Sequence, residues 1–222
     1  MRIKLDFRLL EVSLDINALD EYYKLIKDQI TTLIDSEKRS LNEKLKKERL
    51  TPDDPEWTFY RQEYEYKAEF LLPRFFWGSF IVHVYAVFEI SIIEISRLIR
   101  KKLNINIDIN ELKGDFPERA KKYFKNILNF ELYSDNSAWQ KIRTLADVRH
   151  VIAHANGRID MLNDKSKKRI KSLERENKGI SSYDDYVLIE SHFAWETFMA
   201  VKSILEDLVK RYKKWDAEQN KV

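Results

Sequence analysis

Glycine and proline occur only four times each along 222 residues. They are the residues that break helices and shape tight turns, so a chain this poor in both is committed to long helices. Hydrophobic side chains make up 44% of the sequence and aromatic ones 13%, enough to bury a real core. The length suits one domain. The expectation is therefore an all-α antiparallel bundle of five or six helices in a single domain. Residues 1–54 form its N-terminal segment and long helix, and residues 55–222 its core bundle.

Several classes fall away on composition. There is no cysteine, which excludes disulfides, thiolate nucleophiles and cysteine-ligated zinc. The net charge of +3 is only mildly basic and suits a nucleic-acid partner if the cations cluster. The opening "MRIKLDFRLLEV" lacks the continuous apolar segment of a signal peptide. The most apolar run, Phe75 to Phe88, meets a charge at Glu89, short of the about 20 residues that span a bilayer. It reads as a buried core helix of a soluble, cytoplasmic protein without a membrane partner.

Residues 1–15 alternate loosely and are expected to be extended or irregular. From Asn17 to Arg49 the apolar positions Leu19, Tyr22, Tyr23, Ile26, Ile30 and Leu33 predict a long amphipathic helix. Its polar second half, "SEKRSLNEKLKKER", should project into solvent or pack by a thin seam. Asp54 is the expected N-cap of the next helix, with Pro55 at its first position, and Pro73 should break or kink that helix near Leu72. The core helix follows from Arg74 to Lys102, with Phe80, Val84, Val87, Phe88, Ile92, Ile95 and Ile99 inward.

"NINIDIN" reads as a connector. Helices are expected at 117–130 and 137–155, the second with Trp139, Ile142, Ala146 and Ile152 inward. Asn156-Gly157 supplies its left-handed cap. The last helix runs from Ser191 to Trp215, with Trp195, Phe198, Val201, Leu205 and Leu208 on one stripe.

The chemistry concentrates in "VRHVIAHANGR", residues 148–158, which holds two of the four histidines. Three readings of Arg149, His150 and His154 stand open. Cations at a helix end suit its negative dipole. "HVIAH" also has the i, i+4 spacing of zinc-binding helices, but valine stands where that motif has its glutamate, and Arg149 would repel a dication. The third reading is phosphodiester cleavage without a metal or cofactor. Histidine titrates nearest neutral pH and suits proton transfer to and from ribose oxygens. Arginine binds phosphate oxygens in pairs and keeps its charge. On a helix, Arg149 and His154 lie about 140° apart and about 7.5 Å along the axis, within the swing of a long side chain. One helix supplies one well-placed His154, while the reaction wants an acid and a base. A two-fold homodimer duplicates every group and would complete the site.

At these residues the sequence resembles the HEPN superfamily of all-α ribonucleases. The signature is an arginine, a polar residue, three often apolar residues and a histidine at a helix end. Arg149, His150, Val151-Ile152-Ala153 and His154 match it, and "HANG" continues it. The core segment "AVFEISIIEISRLI" is similar to the helix that packs against the motif helix in that family. The resemblance implies a HEPN-like bundle and a metal-independent, dimeric endoribonuclease that leaves a 2′,3′-cyclic phosphate. It also implies a role as toxin or antiphage effector, held in check by an antitoxin or other regulatory protein. By the same resemblance His154 is the general acid/base, Arg149 stabilises the phosphoryl charge and His150 orients the site or contacts RNA. Glu89 and Asn156 are candidate supporting residues. A catalytically inactive relative would instead be an RNA-binding or protein-interaction module.

Residues Lys165 to Lys178 hold seven Lys/Arg against two Glu. Lys165, Lys167, Lys168, Arg169 and Lys171 are the candidates for guiding an RNA backbone; otherwise the segment is a solvated loop-helix. "RLIRKK" at 97–102 is ordinary helix-end design. The aromatic series between Trp57 and Phe80 is expected in the core or a dimer contact, with base stacking as the functional alternative. His83, between two valines, is expected to be a satisfied buried histidine, and His192 an exposed one.

Overall fold

The computed structural model describes residues 7–176 and 178–219. The protein is mostly α-helical. Among the described residues six helices run as α1 (Phe7–Glu48), α2 (Pro55–Leu103), α3 (Phe116–Asn126), α4 (Asn136–Ala155), α5 (Asp164–Arg175) and α6 (Ser191–Gln219). An antiparallel hairpin, β1 (Ile180–Tyr183) and β2 (Tyr186–Ile189), lies between α5 and α6.

Helix α1 begins at Phe7, so the irregular start expected over residues 1–15 is corrected for 7–15; residues 1–6 lie outside the described ones. The cause is packing. Leu9, Val12, Ile16, Leu19, Tyr23, Ile26 and Ile30 are buried at alternating steps of three and four, a helical stripe that starts well before Asn17. The polar second half of α1 packs by a thin seam, with Ile34, Glu37, Leu41 and Leu45 half-buried.

Pro73 does not end a helix. The chain passes through a π turn, Glu65–Leu71, and continues as α-helix from Leu72 to Leu103. The Leu72 N–H donates to the Lys67 carbonyl, five residues back. This wider turn takes up the backbone crowding that a proline ring brings to the preceding turn. At the start of α2, Asp54 and Pro55 hold the expected places, but the Asp54 carboxylate accepts from the Thr51 N–H at 2.6 Å and its hydroxyl at 2.9 Å instead of capping the helix. The connector 104–110 is as expected, and α3 stops at Asn126, earlier than 130, because Asn129 takes a left-handed conformation. The hairpin was not expected at all.

Two compact units divide the chain. The first comprises the residues up to Asp20, Val82–Val148 and those from Trp195 on. Its core is Phe88, Ile92, Ile95 and Ile99 of α2, Tyr123 and Phe124 of α3, Trp139 and Ile142 of α4, and Phe198, Val201, Leu205 and Leu208 of α6, all buried. Val87, Ala146 and Trp195 are only half-buried. His83 is exposed, contrary to expectation. It shares a solvent-facing stripe with Ala86, Ile90 and Arg97, and apolar sequence neighbours say little about a helical face whose period is 3.6.

The second unit comprises Glu21–Ile81 and Arg149–Ala194. In it α1 and α2 run antiparallel, joined by Tyr22–Ser79 at 3.3 Å, Glu37–Lys67 at 2.7 Å and Lys44 over the Tyr60 ring at 3.5 Å. Tyr23 packs on Trp77 and Phe80 at centroid separations of 5.4 and 5.6 Å. Helix α2 contains a window of mean hydropathy 1.7, long and apolar enough to cross a membrane by length and composition, of which 56% is buried inside the protein.

Candidate active site at the end of α4

Asp135 starts α4 by accepting hydrogen bonds from the Ser137 and Ala138 N–H groups at 2.8 and 3.2 Å, which satisfies donors that a helix start leaves open. Ala138, Trp139, Ile142, Leu145, Val148, Val151 and Ala155 then form its buried stripe. That register decides where the motif goes. His150 and His154 fall on the opposite face and are exposed, while Arg149 lies at the border and is half-buried. Ile152, expected inward, is half-buried beside Gly78, where a Cβ would stand 3.5 Å from its Cγ2.

The imidazoles of His150 and His154 are in contact, with ring centroids 4.7 Å apart and planes tilted by 44°. Two bases on one exposed face, one turn apart, can meet the same ligand group. The structure therefore brings His150 and His154 together directly, with Arg149 a step round the helix. Glu89 belongs to the first unit, where it is half-buried on α2.

The helix closes on the expected cap. Asn156 has φ 49° and Gly157 φ 80°, and the Gly157 N–H donates to the Val151 carbonyl six residues back at 3.1 Å, a Schellman closure. Asn156 is exposed two residues beyond His154. The chain then joins the hairpin. Gly157 accepts from the Val187 N–H at 2.9 Å, and the Ile159 N–H donates to the Asp185 carbonyl at 2.7 Å. Arg158 pairs along the backbone with Tyr186. Its side chain grips Asp160 at 2.9 and 2.5 Å, and that hydrogen bond holds the Asp160 carboxyl below the usual carboxylate range.

The basic segment is helical over Asp164–Arg175. Asn163 caps α5 by accepting from the Ser166 N–H at 2.9 Å, and Ile170 and Leu173 are buried. Lys165, Lys168, Arg169 and Lys171 are exposed and Lys167 is half-buried. Glu174 ties α5 to β1 by accepting from the Ser182 N–H and hydroxyl at 3.1 and 2.7 Å. The end of α4, the hairpin and α5 are thus one hydrogen-bonded series within the second unit. The sequence reading missed the hairpin link, whose only signal was the apolar run "YVLI" after two aspartates. His192 is exposed, as expected, with Nδ1 3.4 Å from Glu190.

Among the described residues no group of three or more His, Asp or Glu is arranged to hold a metal ion. Compared with protein-family models, with curated proteins and with solved structures, the chain matches none of them.

Proposed function

We propose that the protein is a metal-independent endoribonuclease of HEPN-like architecture, acting as a cytoplasmic homodimer. The observation that carries this reading is the exposed, touching pair His150 and His154 at the end of α4, directly preceded by Arg149. In the proposed reaction an imidazole takes the proton of the ribose 2′-hydroxyl as the 2′-oxygen bonds to phosphorus. The bond from phosphorus to the 5′-oxygen breaks, and a second, protonated imidazole protonates the leaving oxygen. The products are a 2′,3′-cyclic phosphate and a 5′-hydroxyl. Arg149 neutralises the charge that builds on the phosphoryl oxygens. A second protomer contributes a second His154, which supplies the acid and the base from equivalent groups. Such an activity suits a toxin or antiphage effector restrained by a partner protein.

The test is incubation of wild-type protein and His154→Ala with single-stranded RNA, with and without EDTA, followed by end-group analysis of the fragments. Loss of the acid/base histidine should slow cleavage by roughly 10² to 10⁴ with the far-UV circular dichroism unchanged. Cleavage that survives the substitution, or that EDTA abolishes, rejects the proposal. Binding of RNA without cleavage by the wild type would instead make the protein an inactive RNA-binding module.

A further inference from the structure

A group of aromatic rings surrounds one arginine in the second unit. Tyr66, Phe70 and Arg74 lie along the π turn and the helical turn after it. Phe70 is buried and packs on Tyr66 and Tyr183, each at 5.1 Å, and edge-on to Tyr186 at 5.6 Å. The Arg74 guanidinium lies over Tyr186 at 4.4 Å, Phe75 at 4.6 Å and Phe70 at 5.3 Å. Tyr66 and Tyr183 are 49% exposed and Phe75 is 54% exposed, so each keeps ring surface open to solvent.

Burial alone does not explain this group. A core cluster would cover its rings, and a structural arginine would normally meet a carboxylate. Arg74 has no carboxylate partner among the described residues; its charge is held by ring faces alone. A cation so held keeps its N–H edge for an anion, and a guanidinium suits phosphate oxygens. Exposed rings around a cation are the components of a single-strand platform, where bases stack on aromatics and the backbone meets the charge. The π turn contributes directly, since Tyr66 and Phe70 lie within it; such turns recur at functional sites.

We infer that Tyr66, Arg74, Phe75 and Tyr183 form the platform that holds single-stranded RNA for the motif on α4. The inference rests on the ribonuclease reading for its ligand. Tyr183 and Tyr186 are the last pair of the hairpin, and Tyr186 pairs with Arg158, four residues after His154. The platform is therefore tied by backbone to the end of α4. Unpaired bases present the faces that stacking needs, whereas a duplex hides them, so the platform selects single strands.

The test uses a fluorescein-labelled strand of 2′-O-methyl uridine, which has no free 2′-hydroxyl and cannot be cleaved, titrated with the full chain and read by fluorescence anisotropy. Tyr66→Ala/Tyr183→Ala should weaken binding about tenfold or more. Tyr183→Leu keeps apolar packing on Phe70 without a stacking face and should also lose affinity, which separates stacking from folding. Arg74→Gln should lower the salt slope by about one. Unchanged affinity in folded Tyr66→Ala/Tyr183→Ala, or a duplex that binds as well as the single strand, overturns the inference. So does loss of self-association in that variant with RNA binding intact, which would make the patch a protein contact. His154→Ala is the separate arm. If it binds as wild type does and neither wild type nor any variant cleaves unmodified single-stranded RNA, the platform stands and the nuclease reading fails. If cleavage needs His154 while the tyrosine variants bind and cleave normally, the platform fails and the nuclease reading stands.

Discussion

His150 and His154 stand one helical turn apart on the exposed face of α4, with ring centroids 4.7 Å apart. On the proposed reading, neighbours so close serve one ligand group rather than two. His150→Ala is accordingly expected to lower kcat/KM for RNA cleavage by about tenfold, less than His154→Ala, because an orienting group contributes less than the proton carrier. In the double variant the two losses should fall short of their product, as for residues that work as a unit. Cleavage kinetics of the three variants check this; wild-type rates in His150→Ala would remove that residue from the mechanism.

The two glycines that flank the hairpin connection differ in what a methyl group would meet. Gly157, at φ 80°, has open space except for ordinary contact with the Val187 carbonyl at 3.8 Å. Gly157→Ala should therefore cost only the left-handed backbone, about 1–2 kcal/mol. Gly179, at φ 77°, would bring a Cβ to 2.5 Å from the His192 Nε2 and 2.9 Å from the Phe193 Cβ. Strain and overpacking together should cost about 3 kcal/mol in Gly179→Ala. Urea midpoints at constant m-value give the order directly.

Tyr123 is buried in the first unit and its hydroxyl donates to the Ile107 carbonyl at 2.6 Å. Burial pushes its ionisation above the ordinary tyrosine range, against the lowering effect of the Arg100 charge. A raised value means that the folded state holds the proton more tightly than the unfolded one. The associated stability is thus full below the ordinary tyrosine range and is lost as pH rises from there through the raised value. Tyr23 shifts the same way, with burial again the largest cause. Tyr123→Phe should flatten part of the alkaline decline and cost roughly 1 kcal/mol near neutral pH for the lost hydrogen bond. Unfolding free energies across a pH series measure both effects.

Exposed Lys165, Lys168 and Lys171 on α5 offer charge without a bound carboxylate among the described residues. If they line the RNA path, replacing any one by glutamine should weaken binding similarly for all sequences. It should also reduce the slope of log affinity against log salt by about 0.7 to 1. An unchanged slope in the triple variant would remove α5 from the interface.

The helical architecture was legible from residue spacing and from the rarity of glycine and proline. So was the left-handed closure at Asn156-Gly157, because capping depends on local backbone preferences. The fate of Pro73 was not legible, since a π turn over Glu65–Leu71 answers to packing along the whole of α2. His83 was misjudged for a related reason, as sequence neighbours do not share a helical face. The hairpin escaped notice because its turn, Asp184-Asp185, has positive φ at both residues without the glycine that usually marks such a turn.

By itself the sequence determined a helical chain that sets Arg149, His150 and His154 on one helix end, because propensity, periodicity and capping act over a few residues. Only the tertiary structure decided which face of α4 is covered, and so that both imidazoles meet solvent. It alone gathered Tyr66 and Arg74 with Tyr183, over a hundred positions later in the chain. Contacts across such separations follow from how buried stripes pack on one another, and no local preference encodes them.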